Sequence, residues 1–149
     1  MDVLRIAALI GSGITAGVLF AVALSVVPGL FAMPADRYVY AHQLLGRNWD
    51  PTMPMIVLGS TMADVALAVL SDRSETMLFY GLAAGLLLVV SVVSHFCNVP
   101  LNRRVKSLDP DCMPADWSDP RPVWRRWHML RTVVAVMALA VNASAAISA

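Results

Sequence analysis

Charge is what this chain has least of. Only 14% of its 149 residues are Asp, Glu, Lys or Arg, against about 25% in an ordinary soluble domain. That shortage speaks against a water-exposed globule and for a membrane-embedded one. Cysteine is nearly absent, with only Cys97 and Cys112, and their spacing matches no zinc pattern. Cys97 reads as a small buried residue. Histidine is restricted to His42, His95 and His128. The net charge is only +1, and basic residues are interleaved with Asp109, Asp111, Asp116 and Asp119. No nucleic-acid partner is expected.

What is present is apolar sequence. Four runs stand out, at residues 6–27, 54–70, 77–99 and 128–149. The first and third are long enough to cross a hydrocarbon core of about 30 Å as helices. The second is short and contains Asp64. The fourth is rich in Ala and Ser and carries Arg131 near its start. A cleaved signal peptide is the rival reading of the first run, but that run is long and no clear A-x-A site follows it. In lipid, backbone polar groups must be satisfied within the chain, which favours helices. The expected fold is therefore all-α. It is a single domain over residues 1–149, a four-helix transmembrane bundle with a short amphipathic helix in its first loop.

The link 71–76 is short enough to make spans two and three antiparallel neighbours. In the first loop, Pro34 suits a first helical position and Gly46 a stop. Between them Tyr38, Ala41, His42 and Leu45 share one helical face, which predicts a short helix with His42 turned toward the bundle. Tyr38, Tyr40 and Trp49 fit an interfacial aromatic belt. The prolines of the second loop make residues 107–119 irregular. Asp119-Pro120 resembles an N-cap followed by a first helical residue. The small residues of the last span allow close helix approach, and a homo-oligomer is left open.

Four spans place residues 28–51 and 100–127 on one side of the membrane. That side holds Arg37, Arg47, Arg103, Arg104, Lys106, Arg121, Arg125 and Arg126, whereas the other holds Arg5 and Arg73. The positive-inside rule puts both long loops in the cytoplasm and both termini outside. In a bacterial cell the membrane is the plasma membrane. Both cysteines then lie on the side where thiols stay reduced.

Chemistry should gather in the polar junction between the last two runs. His95, Asn98 and Asn102 are spaced i, i+3 and i+7, one face of helix three. Trp124, Trp127, His128 and Arg131 are spaced i, i+3, i+4 and i+7, one face of helix four. A kink at Pro100, disturbing the carbonyl of Phe96, would aim Asn98 and Asn102 inward. The topology brings His42 to the same end. Arg125 and Arg126 fall off the shared face and read as interfacial anchors. Asp64, mid-span, is a functional candidate in its own right. Its structural alternative is a hydrogen bond to a neighbouring hydroxyl.

Two segments carry a family resemblance. Asn98-Val99-Pro100-Leu101-Asn102 and Trp124-Arg125-Arg126-Trp127-His128-Met129-Leu130-Arg131, set in four spans of this total length, resemble the anthrone oxygenase-like integral membrane family. The resemblance implies oxidation of an anthrone- or polyketide-like apolar aromatic by O2, with no obvious organic cofactor. By position it implicates Asn98, Asn102, Trp124, Trp127, His128 and Arg131; His42 and His95 are added from geometry. The catalytic set expected is His128, His95, Arg131, Asn98 and Asn102. Trp124, Trp127, His42 and Asp64 are expected to bind substrate. A histidine suits a base, Arg or Asn an enolate oxygen, and Trp a flat polycycle. The partners expected are membrane lipid and an apolar aromatic small molecule.

Three alternatives remain open. One is a copper- or iron-dependent oxidase using His42, His95 and His128 as ligands. Another is a small proton-coupled transporter or binding protein built on Asp64. The third is an assembly subunit without chemistry.

Overall fold

The computed structural model describes residues 1–148. Five helices make up the fold: α1 at Asp2–Phe31, α2 at Ala35–Leu45, α3 at Thr52–Leu70, α4 at Ser74–Lys106 and α5 at Arg121–Ser148. All but α2 are long and apolar enough to cross a membrane. Each extends beyond its apolar run into the polar flanks. Helix periodicity in the flanks continues the ladder, whereas hydropathy marks only the lipid-matched part.

The four long helices run up and down. α1 packs on α3 and α5, α3 packs on α4, and α4 packs on α5, which closes a square. The outer surface is apolar: Val3, Leu24, Met62, Val69, Leu78 and Ile147 are all exposed, as lipid contact requires. Small residues set the spacing inside. A Cβ at Gly11 would run into Ser60 Oγ, so only glycine lets α1 approach α3 this closely at that level. Ala135, Ala138 and Ala145 do the same for α5, each without exposed surface.

Two stacked apolar layers fill the middle of the bundle. One is Val57, Leu87 and Ala138; the other is Ala16, Leu19, Val90 and Ala135. The buried polar side chains beside them, Ser12, Thr15 and Ser60, each bond a carbonyl one turn back in their own helix; polar groups that reach between helices lie at the two ends.

Both α1 and α4 contain one wide π-turn, at Val22–Val26 and Ser94–Asn98. Each is followed by Val-Pro, Val27-Pro28 and Val99-Pro100. The amide of Val27 reaches back to Val22 O, and that of Val99 to Ser94 O. A proline ring collides with the carbonyl four residues back and offers no amide of its own. Widening the preceding turn by one residue relieves both problems without breaking the helix. At Pro100 a π-turn thus replaces the expected local kink.

α2 lies across one end, packed on the last turns of α1 and α4. Its first residue is Ala35, with extended Pro34 before it rather than inside it. Gly46 ends it as expected. Gln43 Nε2 donates to the carbonyls of Val105 at 3.2 Å and Leu108 at 2.8 Å, which satisfies the open C-terminus of α4. Arg121 does the same for α1. Its Nη1 donates to Leu30 O at 2.9 Å and Met33 O at 2.7 Å. The guanidinium also lies 4.9 Å from the centre of the Tyr38 ring and 2.8 Å from Asp119. Asp119 Oδ1 accepts the amide of Arg121 at 3.0 Å, capping α5 as its position predicted.

Candidate functional site

The site grows from Trp124, in the first turn of α5 and buried at the end covered by α2. Its indole Nε1 donates to Asn102 Oδ1 at 2.9 Å. Its carbonyl accepts from Asn98 Nδ2 at 3.3 Å. Both asparagines of the Asn-x-Pro-x-Asn segment thus clamp one tryptophan. They can do so because the π-turn rotates the helix beyond it.

Five rings, Trp124 among them, make a continuous ladder. His128 stacks on it at 5.1 Å with an 8° interplanar angle. His42 meets it edge-on at 5.7 Å and 72°. Tyr38, one turn before His42, contacts that imidazole at 5.5 Å and 68°. Trp117 of the second loop covers Tyr38 at 6.3 Å.

Both nitrogens of His128 are engaged. Nε2 lies 3.0 Å from Leu19 O, which can only accept. Nδ1 receives Arg131 Nε at 3.3 Å and Nη2 at 2.9 Å, and a guanidinium can only donate. The imidazole is therefore the neutral tautomer with its proton on Nε2. Its one lone pair is occupied by Arg131. This arrangement makes His128 a positioning residue, which differs from the free base expected of it.

Arg131 is held on its other side by Ser94, whose Oγ accepts Nη1 at 3.1 Å. Ser94 Oγ in turn donates to Val90 O at 2.7 Å. Among the described residues no carboxylate lies within ion-pair distance of Arg131. A half-buried guanidinium fixed by an imidazole and a hydroxyl, both neutral, keeps its full positive charge available.

His42 is buried 6% exposed and lies on the loop side of the site. Burial pushes its imidazole below the ordinary histidine value, and the charge of Lys106 pushes the same way; the side chain of Asn102 partly opposes them. His42 is thus neutral over a wider pH range than an exposed histidine. Burial also drives the Tyr38 phenol up to about 12, helped by the negative charge of Asp119 and opposed by Arg121. Tyr38 therefore stays protonated, and its buried hydroxyl has no partner among the described residues. Asn98 Oδ1 is likewise unpartnered.

Three expected members are elsewhere. His95 is exposed on the outside of the π-turn, against the Phe96 ring at 5.1 Å. The i, i+3, i+7 spacing assumes 3.6 residues per turn, and the inserted residue breaks that phase. Trp127 is 38% exposed, on the flank of α5. Asp64 is fully buried but belongs to the opposite end. Arg125 and Arg126 are exposed as anchors, with Arg125 over Phe31 at 5.7 Å. With His95 outside, His42, His95 and His128 do not converge. Among the described residues no three His, Cys, Asp or Glu side chains form a group fit for a metal ion, so the donor set does not suit bound copper or iron.

Sequence spacing alone did not identify Ser94 or the Leu19 carbonyl as partners. Ser94 had a signal, since it stands one turn before Asn98. The Leu19 contact involves backbone, and its only trace in sequence is Pro28 nearby. A shallow apolar groove of about 390 Å³ opens toward lipid beside this contact. Thr132 forms its polar edge and donates to His128 O at 2.7 Å.

Compared with known proteins, residues 42–141 match the family model for anthrone oxygenase. The chain belongs to the anthrone oxygenase family. The matched stretch begins at His42 and includes the asparagine clamp, the stacked Trp124–His128 pair and Arg131. Membership gives this family protein an oxygenase-like role. No curated protein and no solved structure matches the chain.

Proposed function

We propose that the protein is a membrane-embedded oxygenase that uses O2 to oxidise a flat, apolar aromatic ketone with an acidic methylene, an anthrone-like substrate. The observation that carries this reading is the cation of Arg131, fixed by His128 and Ser94 with no carboxylate to neutralise it. A fixed positive charge in a low-dielectric site favours a reaction that develops negative charge. Deprotonating the methylene does so, because the electrons move onto the carbonyl oxygen as an enolate.

His42 is the base. It is buried against Trp124, and burial holds its imidazole below the ordinary histidine value, so it is neutral and able to accept a proton. Arg131 takes the enolate oxygen. The enolate passes one electron to O2, giving a carbon radical and superoxide, which combine with a proton to a hydroperoxide. Loss of water from the hydroperoxide leaves the second carbonyl. The sum is one methylene plus O2 to one carbonyl plus water, with the borrowed proton returned. No external reductant is needed. Trp124 and Tyr38 supply ring faces and edges against which a polycycle can lie. Lipid concentrates both the substrate and O2.

The basic residues of the two loops support a cytoplasmic location for this end, by the positive-inside rule. The test is O2 uptake by purified protein in nanodiscs with anthrone, with anthraquinone followed by absorbance. Uptake coupled one-to-one to quinone, and lost in Arg131→Ala, is expected. Quinone formation at the uncatalysed rate, or unchanged rates in Arg131→Ala, would refute the assignment.

A further inference from the structure

The opposite end of the bundle holds a second polar centre that the proposed reaction does not use. Asp64 of α3 is fully buried, and one of its oxygens, Oδ2, accepts Asn142 Nδ2 of α5 at 3.2 Å. The other oxygen has no partner. Neither do Asn142 Oδ1, Tyr80 OH and Thr76 Oγ1 of α4, or Arg5 Nε of α1. Asp64, Thr76, Tyr80 and Asn142 are each at most 3% exposed.

These groups share one level of the bundle. Tyr80 packs in one cluster with Ala8, Ala63 and Ala145, which neighbour Arg5, Asp64 and Asn142 along their helices. Thr76 is one helical turn before Tyr80. Tyr80 also lies within electrostatic reach of both Arg5 and Asp64. Asp64, Tyr80 and Asn142 each stand about 9 Å from the end of their helix, at about 1.5 Å per residue. His128 lies about 21 Å from Asn142 along α5 by the same rise. The two apolar layers separate the two centres.

Five unpartnered polar atoms within about one helical turn of each other are costly unless something satisfies them. Each buried group left without a hydrogen bond costs about 1–3 kcal/mol. The set mixes acceptors, from Asp64 and Asn142, with donors, from Arg5 and the two hydroxyls. Water fits such a mixture, since each molecule both donates and accepts. A bare metal cation fits poorly, because among the described residues no three His, Cys, Asp or Glu side chains group here. The charged and titratable groups around this end are Tyr80 from α4 and, from α1, Arg5 with its ion-pair partner Asp2 at 3.5 Å; α5 presents the neutral Asn142.

We propose that Arg5, Asp64, Thr76, Tyr80 and Asn142 enclose a small hydrated pocket, reached from the membrane face that carries the two ends of the chain, in which Asp64 binds and releases a proton. Tyr80 and Asn142 position the carboxyl and the waters. The two apolar layers close the pocket toward the aromatic–arginine end. The proton therefore exchanges with one side only.

Infrared difference spectroscopy of the full chain in nanodiscs tests this, between about pH 3 and about pH 9, a range that brackets ordinary and raised carboxyl pKa values. A protonated carboxyl with few hydrogen bonds absorbs at higher frequency than the exposed acids. One such band is expected, titrating with pH, shifting promptly on transfer to heavy water and absent in Asp64→Asn. Tyr80→Phe and Asn142→Ala keep the carboxyl and should move the band without deleting it, which guards against misfolding of Asp64→Asn. A band that never titrates, one that resists exchange with heavy water, or one governed by sodium concentration instead of pH overturns the proposal. None of these outcomes depends on O2 uptake, so this pocket and the oxygenase reading fail independently.

Discussion

The two ends of this bundle use polarity in opposite ways. At the end covered by α2, the polar side chains are mostly committed to one another. Trp124 is clamped by Asn98 and Asn102, and His128 is fixed between Leu19 O and Arg131. Tyr38 OH and Asn98 Oδ1 are the open atoms there. At the other end, Asp64 and Asn142 share a single hydrogen bond, and five atoms, one on each of them and three on Arg5, Thr76 and Tyr80, have no partner among the described residues. In the proposed reading the first end holds a fixed charge for an anion and the second takes up water. Mutual hydrogen bonding fixes geometry, as covalent chemistry requires; unsatisfied groups attract mobile water instead.

The largest effect that could break this contrast is removal of the rigid cation. Arg131→Ala should reduce the rate of anthrone-dependent O2 uptake by about 10²–10³, the cost of losing one oxyanion-stabilising donor. Arg131→Lys should recover little, because a point charge cannot span His128 and Ser94 together. Stopped-flow oxygen measurement decides it.

Next is the base. His42→Ala should lower the rate by about 10²-fold or more, measured as quinone formation. The sign of its pH dependence follows from its depressed value. Activity should hold as pH falls through about 6.5, the ordinary histidine value, and decline only below it. The linked stability term has the same direction. The unfolded chain takes up a proton first, so stability is full above about 6.5 and falls as pH drops toward the folded value. In His42→Ala that acid limb should become shallower in the thermal melting profile, the remainder coming from the other buried neutral imidazole, His128. An unchanged limb would remove His42 from the site.

A smaller effect probes the spacing that both ends depend on. Gly11→Ala puts a Cβ into Ser60 Oγ, which should destabilise the fold by about 1–3 kcal/mol as overpacking. Denaturant unfolding in detergent reads it. Gly59→Ala is the control, since a Cβ there meets nothing within 4 Å.

Much of this arrangement was legible in the sequence. Apolar runs located all four spanning helices, and Pro34 and Gly46 bracketed α2 to within a residue. The Trp124/His128/Arg131 stripe was readable because α5 is regular α-helix throughout that stretch. His42 was found from the Tyr38–His42 spacing on a regular α2. The partners were harder to read. Leu19 contributes a carbonyl, and backbone contacts leave no side-chain pattern. Tyr80 and Asn142 lie in separate apolar runs, where a lone polar residue at small-residue spacing looks like packing. Only the packing of α3, α4 and α5 joins them to Asp64.

The smallest effect is the most instructive about phase. Regular 3.6-residue spacing put His95 with Asn98 and Asn102, but the turn Ser94–Asn98 holds an extra residue. Everything beyond such a turn is re-phased by about 100°, the angle one residue takes in an α-helix. Asn98 and Asn102 therefore face Trp124, while His95 faces outward against Phe96. His95→Ala should then change O2 uptake by no more than about twofold, in line with surface substitutions of about 0.5 kcal/mol. Pro100→Ala should matter more, because it restores an amide and removes the ring that made the π-turn favourable. A helix that relaxes to regular α would rotate Asn98 away from the Trp124 carbonyl. Loss of activity in Pro100→Ala together with near-normal activity in His95→Ala would show that the π-turn, and not the imidazole beside it, builds this end of the molecule; the reverse ordering would return His95 to the site.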